Sequence, residues 1–215
     1  MKYLIWIKCY GLVFLTCVGF ILTSFTAQAD EIVISPEDSR RPLRSLGEKD
    51  VSLHDLKKYK FVVVVAQGSC PVLQKSYPDL LALEKQFQKK QIAFFLLSPA
   101  RQEDFADMEK EVKAFGVSKF VLYDPLQVWL QALGLKTMGE AVLLQPLDNS
   151  WRVLYRGSVS DRINFDRTLP KAKNEFLRRA LTEAINGHPI KSKSSQVYGC
   201  SITWLNRNSL GKIHL

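Results

Sequence analysis

The chain has 215 residues, 47% of them hydrophobic, enough for one domain with a sizeable core, which excludes disorder as its main state. Its formal charge is +9, but the lysines are interleaved with acidic residues, as in "EKQFQKKQ" and "MEKEVKAF", and no basic patch carries interspersed aromatics. That describes a solvated surface and argues against nucleic acid, while leaving association with an anionic membrane surface open.

Residues 1–29 read as a signal peptide: Lys2 and Lys8 form a basic start, no charge occurs from Cys9 to Phe25, and Thr26-Ala27-Gln28-Ala29 supplies a small-residue cleavage site. The uncharged run is short for a membrane span. Cleavage after Ala29 lowers the formal charge to +7 and implies a periplasmic or secreted protein. It also removes Cys9 and Cys17, so the mature chain keeps Cys70 and Cys200 in an oxidising compartment. Two such cysteines are either bonded partners or a reactive thiol with a distant resolver.

Residues 30–42, with Pro36, Pro42 and the Arg40-Arg41 pair, read as a loose polar lead-in. The domain itself is expected over 43–190. Val51-Ser52-Leu53 is a short extended piece, and Phe61 to Ala66 is a β-branched apolar run suited to a strand covered on both faces. From Pro71 to Lys90, the apolar residues Leu73, Tyr77, Leu80, Leu83 and Phe87 recur every three or four positions, predicting one amphipathic helix kinked at Pro78. A second buried strand is predicted over Ile92–Leu97 and a helix over Arg101–Phe115. A short strand at Phe120–Tyr123 and a short helix at Val128–Leu133 come next. "AVLLQP" and "WRVLYRG" form a hairpin around Asp148-Asn149, and a last helix is predicted over Lys171–Asn186. Strands alternating with helices, followed by a hairpin, predict an α/β fold with a central mixed sheet flanked by helices. Residues 191–215 form an irregular tail without helical period, but Tyr198, Cys200, Ile202 and Trp204 give it apolar residues with which to dock.

Cys70 falls between the buried strand and the first long helix. A thiol at a helix start meets free backbone N–H groups, which stabilise its thiolate and lower its pKa. The alternative from position alone is a small buried hydrophobe or half of a structural bridge.

The stretch "FVVVVAQGSCPVLQKSYPDL" resembles the active-site strand and helix of thioredoxin-fold proteins, and more closely exported redoxin-domain proteins with a Cys-Pro followed by Tyr and Pro. "YRGSVSDR" and "YGCSITW" resemble later segments of the same group, so the resemblance runs from about Leu43 to Trp204. It implies a thioredoxin-like, peroxiredoxin-related fold in which Cys70, followed by Pro71, is the reactive thiol. The implied reaction is thiol-disulfide exchange or peroxide reduction with a redox partner protein or a peroxide, and no cofactor.

Several positions depart from the related patterns. Leu73 stands where a C-x-x-C motif has its second cysteine. Val63 and Gln67 replace the Pro and Thr of the peroxiredoxin motif, and Met138-Gly139 occupies the place of the usual proline opposite the cysteine. The copper-delivering family that serves cytochrome oxidase assembly is similar in fold, but Gln74 replaces its second cysteine and His54, His188 and His214 are isolated, so no metal site is expected.

Cys200 is the candidate resolving thiol. A permanent Cys70–Cys200 staple, worth about 4 to 5 kcal/mol by loop closure, is the equal alternative. In that case the domain would be non-catalytic and bind a partner through the Met138-Gly139 edge or the tail. Arg156, Asp161 and Arg162 are candidates to place positive charge near the thiolate or to form loop-fixing ion pairs. Glu140 is a candidate proton acceptor, with a solvated carboxylate as its alternative.

Overall fold

The computed structural model describes residues 31–47, 49–101 and 104–205. The expected signal peptide and His214 lie outside them.

Phe61–Ala66 forms strand β3, buried at all six positions. It pairs in parallel with β4 (Ile92–Ser98) and antiparallel with β6 (Ala141–Pro146). β4 continues in parallel to β5 (Val121–Tyr123), while β6 turns through the predicted hairpin into β7 (Trp151–Gly157). Two short strands close the edges: β1 (Glu31–Ile32) against β7, and β2 (Arg44–Ser45) against β5. The seven-stranded mixed sheet therefore has the order β1-β7-β6-β3-β4-β5-β2. The stretch expected as a loose lead-in is part of this order. It supplies the β1 edge, and a short helix α1 (Pro36–Arg40) is capped by the Ser35 hydroxyl.

Alternation along β3 divides the core in two. Val63 and Val65 face a layer containing Leu73, Tyr77, Leu80, Leu83, Val112 and Leu177. Val62, Val64 and Ala66 face the opposite layer, with Leu53, Leu56, Trp129, Leu133 and Trp151.

The first predicted long helix is two. α2 (Pro71–Gln74) is a single turn, and α3 (Tyr77–Phe87) begins after a break at Lys75-Ser76, with Pro78 in its first turn. Proline lacks an N–H and clashes with the carbonyl four residues back, so a new helix start suits it better than a bend within one. α4 (Phe105–Ala114) and α5 (Val128–Ala132) follow the predicted order. α6 spans Phe176–Ile185 and lacks the first turn expected from Lys171. The N–H groups of Lys173 and Asn174 instead donate to Asp161 Oδ1, at 2.8 and 2.9 Å, which keeps this segment out of the helix.

The tail lies on the domain in two stretches. Ser194 bridges Arg156 of β7, with Arg156 N donating to the Lys193 carbonyl and Ser195 N to that of Arg156. Further on, Ser201 forms an antiparallel bridge with Thr137, in the connection before β6.

Candidate active site

Cys70 stands where β3 ends and α2 begins. The turn tightens as Cys70 N donates to the Gly68 carbonyl at 2.7 Å, and Gln74 N then donates to the Cys70 carbonyl at 3.0 Å. The Cys70 backbone is extended (φ −123°, ψ 115°), as suits a residue that both caps a helix and precedes a proline. Pro71 takes the first helical position, where its missing N–H costs nothing. Gly68 makes room for Met138: a β-carbon there would lie 2.6 Å from the Met138 sulfur.

The tail supplies the second thiol. Met138 N donates to the Cys200 carbonyl at 2.8 Å, and Ile202 N donates to the Lys136 carbonyl at 3.0 Å. Residues 200–202 thus run as a strand beside 136–138. The approach is close enough that a β-carbon on Gly199 would overlap the Met138 carbonyl oxygen. Ile202 is buried in the layer beside Trp129. In this position Cys200 N–H points at Cys70 Sγ, 3.3 Å away.

Both cysteines are free thiols, but their surroundings differ sharply. Cys70 is 0% exposed, whereas Cys200 is exposed. Burial resists ionisation of Cys70, but hydrogen bonds from the Cys200 thiol and from the N–H groups of Leu73, Cys200 and Val72 outweigh it. The Cys70 thiol therefore titrates below its ordinary value. Cys200 is pushed up to about 11, because its proton is shared with Cys70, with burial and the Cys70 charge adding to the effect. Of the two, the inner sulfur is therefore the one that ionises first.

The other candidate residues occupy different places. Arg156 donates to the carbonyls of Leu133 and Gly134, at 2.6 and 3.0 Å, and pairs with Glu140 at 3.4 Å. Glu140 is buried rather than solvated: its Oε2 accepts from Lys136 N at 2.8 Å and Thr137 N at 3.3 Å. Its carboxylate is committed to fixing the 136–140 connection against which the tail pairs. Arg162 pairs with Asp79 of α3 at 2.7 Å and also donates to the Lys75 carbonyl, bracing the α2–α3 break. Asp161 holds the 173–174 loop as described. These groups fix loops around the site, and neither guanidinium is among the groups that set the Cys70 titration. Gln67 is fully buried and directs its amide to the Tyr77 hydroxyl at 3.5 Å. The Tyr77 hydroxyl is itself pushed up to about 12, chiefly by burial.

Sequence reasoning missed how the tail runs. The alternation of Cys200, Ile202 and Trp204 carried a strand signal, but nothing in it named the partner segment. Among the described residues no helix is long and apolar enough to cross a membrane. Nor does any group of three or more His, Cys, Asp or Glu among them lie close enough to hold a metal ion.

A cysteine at the N-cap position of the first turn after a central strand, on a mixed sheet with this order, defines a thioredoxin-like α/β protein. Comparison with known proteins agrees: the Redoxin family model matches residues 27–154, and the chain belongs to that family. Cys70 lies inside the matched stretch and Cys200 beyond it. Among solved structures, an uncharacterized conserved protein from Geobacillus kaustophilus is 23% identical with a TM-score of 0.66, over 82% of this chain and 96% of that one. A hypothetical protein from Sinorhizobium meliloti is 20% identical with a TM-score of 0.64, over 82% and 99%. A putative thiol:disulfide interchange protein DsbE from Chlorobium tepidum is 17% identical with a TM-score of 0.51, over 73% and 99%. These likenesses establish the fold. No curated protein sequence matches.

Proposed function

We propose that the protein is an exported thiol oxidoreductase in which Cys70 and Cys200 form a reversible redox couple. The observation that carries this reading is the Cys200 N–H, 3.3 Å from the sulfur of a buried, acidified Cys70 that stands at the N-cap position of α2. Its basic, apolar and small-residue leader supports export, and a redox partner protein is the proposed source of electrons.

The difference in exposure supports a division of labour. In the oxidised couple the accessible sulfur is that of Cys200. A donor thiolate attacks Cys200 Sγ, the Cys70–Cys200 bond breaks, and Cys70 departs as the thiolate favoured by the surrounding N–H groups. A second donor thiolate then attacks the mixed disulfide. Its sulfur bonds to that of the first donor, and Cys200 leaves and takes up a proton. In the opposite half-reaction a thiolate of the reduced couple attacks a substrate disulfide and expels one substrate thiolate; the other cysteine then attacks the mixed disulfide, forming the Cys70–Cys200 bond and releasing the second substrate thiolate. Thiol-disulfide exchange is favoured over peroxide reduction because Val63 and Gln67 replace the peroxide-positioning residues, and the Gln67 amide is turned to Tyr77.

Cys200→Ser leaves Cys70 as the sole thiol of the mature chain, and its alkylation rate against pH gives its pKa. A value below the reference of about 8.5 supports the reading. An unperturbed or inert thiol would leave only a non-catalytic domain whose Met138-Gly139 edge is covered by its own tail.

A further inference from the structure

The tail is anchored on both sides of Cys200, and beyond the buried Ile202 its outermost anchor among the described residues is one side chain. Gln127 precedes α5, is buried, and has left-handed backbone angles (φ 56°, ψ 28°), uncommon for a residue other than glycine. Both ends of its amide are used on the tail. Nε2 donates to the Thr203 carbonyl at 2.8 Å, and Oε1 accepts from Leu205 N at 2.9 Å. A carbonyl and an N–H two residues apart on one chain are what a neighbouring strand would pair with, so this side chain stands in for one.

The mounting is firm. Gln127 N donates to the Asp124 carbonyl at 2.9 Å, and the Gln127 carbonyl receives Gln131 N at 3.1 Å. The buried Asp124 carboxylate accepts the N–H groups of Val128, Trp129 and Leu130 at 2.9 to 3.0 Å, locking the first turn of α5 in place. Glycine would satisfy the left-handed backbone without strain. What glutamine adds at that position is its amide, and the amide is spent on residues 203 and 205.

We infer that Gln127 is a positioning residue for the redox couple: by gripping the chain at Thr203 and Leu205 it holds the Cys200 sulfur over Cys70. It acts through the tail, and the inference rests on the reading of Cys70 and Cys200 as a redox pair. Docking one thiol beside the other raises its effective concentration, which sets how readily the disulfide forms. Losing two hydrogen bonds of ordinary strength lowers that concentration about tenfold or more.

The test compares the full mature chain with its Gln127→Gly variant, which removes the amide and suits the backbone. Three quantities are read: the equilibrium constant of the Cys70–Cys200 disulfide against glutathione, the Cys70 pKa in the reduced protein, and hydrogen exchange at the Leu205 amide. We expect the constant to fall about tenfold or more, the pKa to move up towards the ordinary thiol value, and Leu205 protection to be lost, with Tm little changed because relief of the left-handed backbone offsets part of the two lost bonds. A general folding defect would lower Tm and leave no selective change at the couple, and would overturn the inference. So would a variant matching the wild type in all three readings. If the wild type itself forms no Cys70–Cys200 disulfide, the redox reading fails, and unchanged Leu205 protection then refutes the clamp separately.

Discussion

Replacing Gly199 by alanine perturbs the couple without touching either sulfur. The added β-carbon would overlap the Met138 carbonyl oxygen and lie 3.1 Å from both the Met138 carbonyl carbon and Thr137 Cγ2. The obstacle is backbone, so residues 199–202 have to lift rather than a side chain turn aside. Lifting them breaks the Met138 N–Cys200 O and Ile202 N–Lys136 O bonds, each worth about 1 kcal/mol, and exposes Ile202, worth about 1.5 to 3 kcal/mol. A loss of about 3 to 5 kcal/mol is enough to turn a docked tail into a largely undocked one. Cys70 then loses the Cys200 thiol and N–H donors, which held its pKa down, and part of its burial, which held it up, while its sulfur becomes accessible. Alkylation of each cysteine, followed by mass spectrometry across pH, reads both changes. The expected result is faster modification of Cys70 at high pH, where both states are ionised and only access differs, with the domain still folded. A Cys70 profile identical to that of the wild type would refute the assignment of the tail as cover and hydrogen-bond donor for the inner sulfur.

Arg156→Ala removes a guanidinium from the Leu133 and Gly134 carbonyls and from Glu140; stability should fall by about 2 kcal/mol in denaturant unfolding, with the Cys70 pKa in a Cys200→Ser background unchanged. A raised Cys70 pKa there would restore the electrostatic role for Arg156. The raised Cys200 value makes its contribution to the closed tail full below the ordinary thiol pKa of about 8.5 and lost as pH rises to about 11, where two adjacent thiolates repel. Protection factors at the Met138 and Ile202 amides, which remove the intrinsic rise of exchange with pH, should fall across that interval, and constant protection would contradict the Cys200–Cys70 hydrogen bond. Gly68→Ala drives a β-carbon to 2.6 Å from the Met138 sulfur; the flexible end of that side chain can turn aside, so the loss should be no more than about 1 kcal/mol, and Met138→Ala should relieve most of it in a double-mutant cycle.

The central sheet was legible because its signals are local. β3 and β4 are continuous apolar runs, and β6 and β7 flank a hairpin signal, so both their type and their order could be read along the chain. Glu31–Ile32 and Arg44–Ser45 are strands of two residues, too short to show a period, and only the backbones of β7 and β5 make them strands. Cys70 was identifiable as a helix-capping thiol from its place between valines and Pro71. The roles of its neighbours were not: Arg156 and Arg162 find carbonyls distant in sequence, and Glu140 folds back on the N–H groups of Lys136 and Thr137 in a connection without a periodic pattern. The same holds for Gln127, whose partners lie 76 and 78 residues further on and whose left-handed backbone no local pattern announces.

The most direct test of the account is a redox titration of the mature chain in glutathione or dithiothreitol buffers, with the Cys70–Cys200 linkage quantified by mass spectrometry. Reversible interconversion at a potential above roughly −300 mV is expected for a working couple. A linkage that never forms, or one that resists reduction well below roughly −300 mV as structural disulfides do, would contradict it.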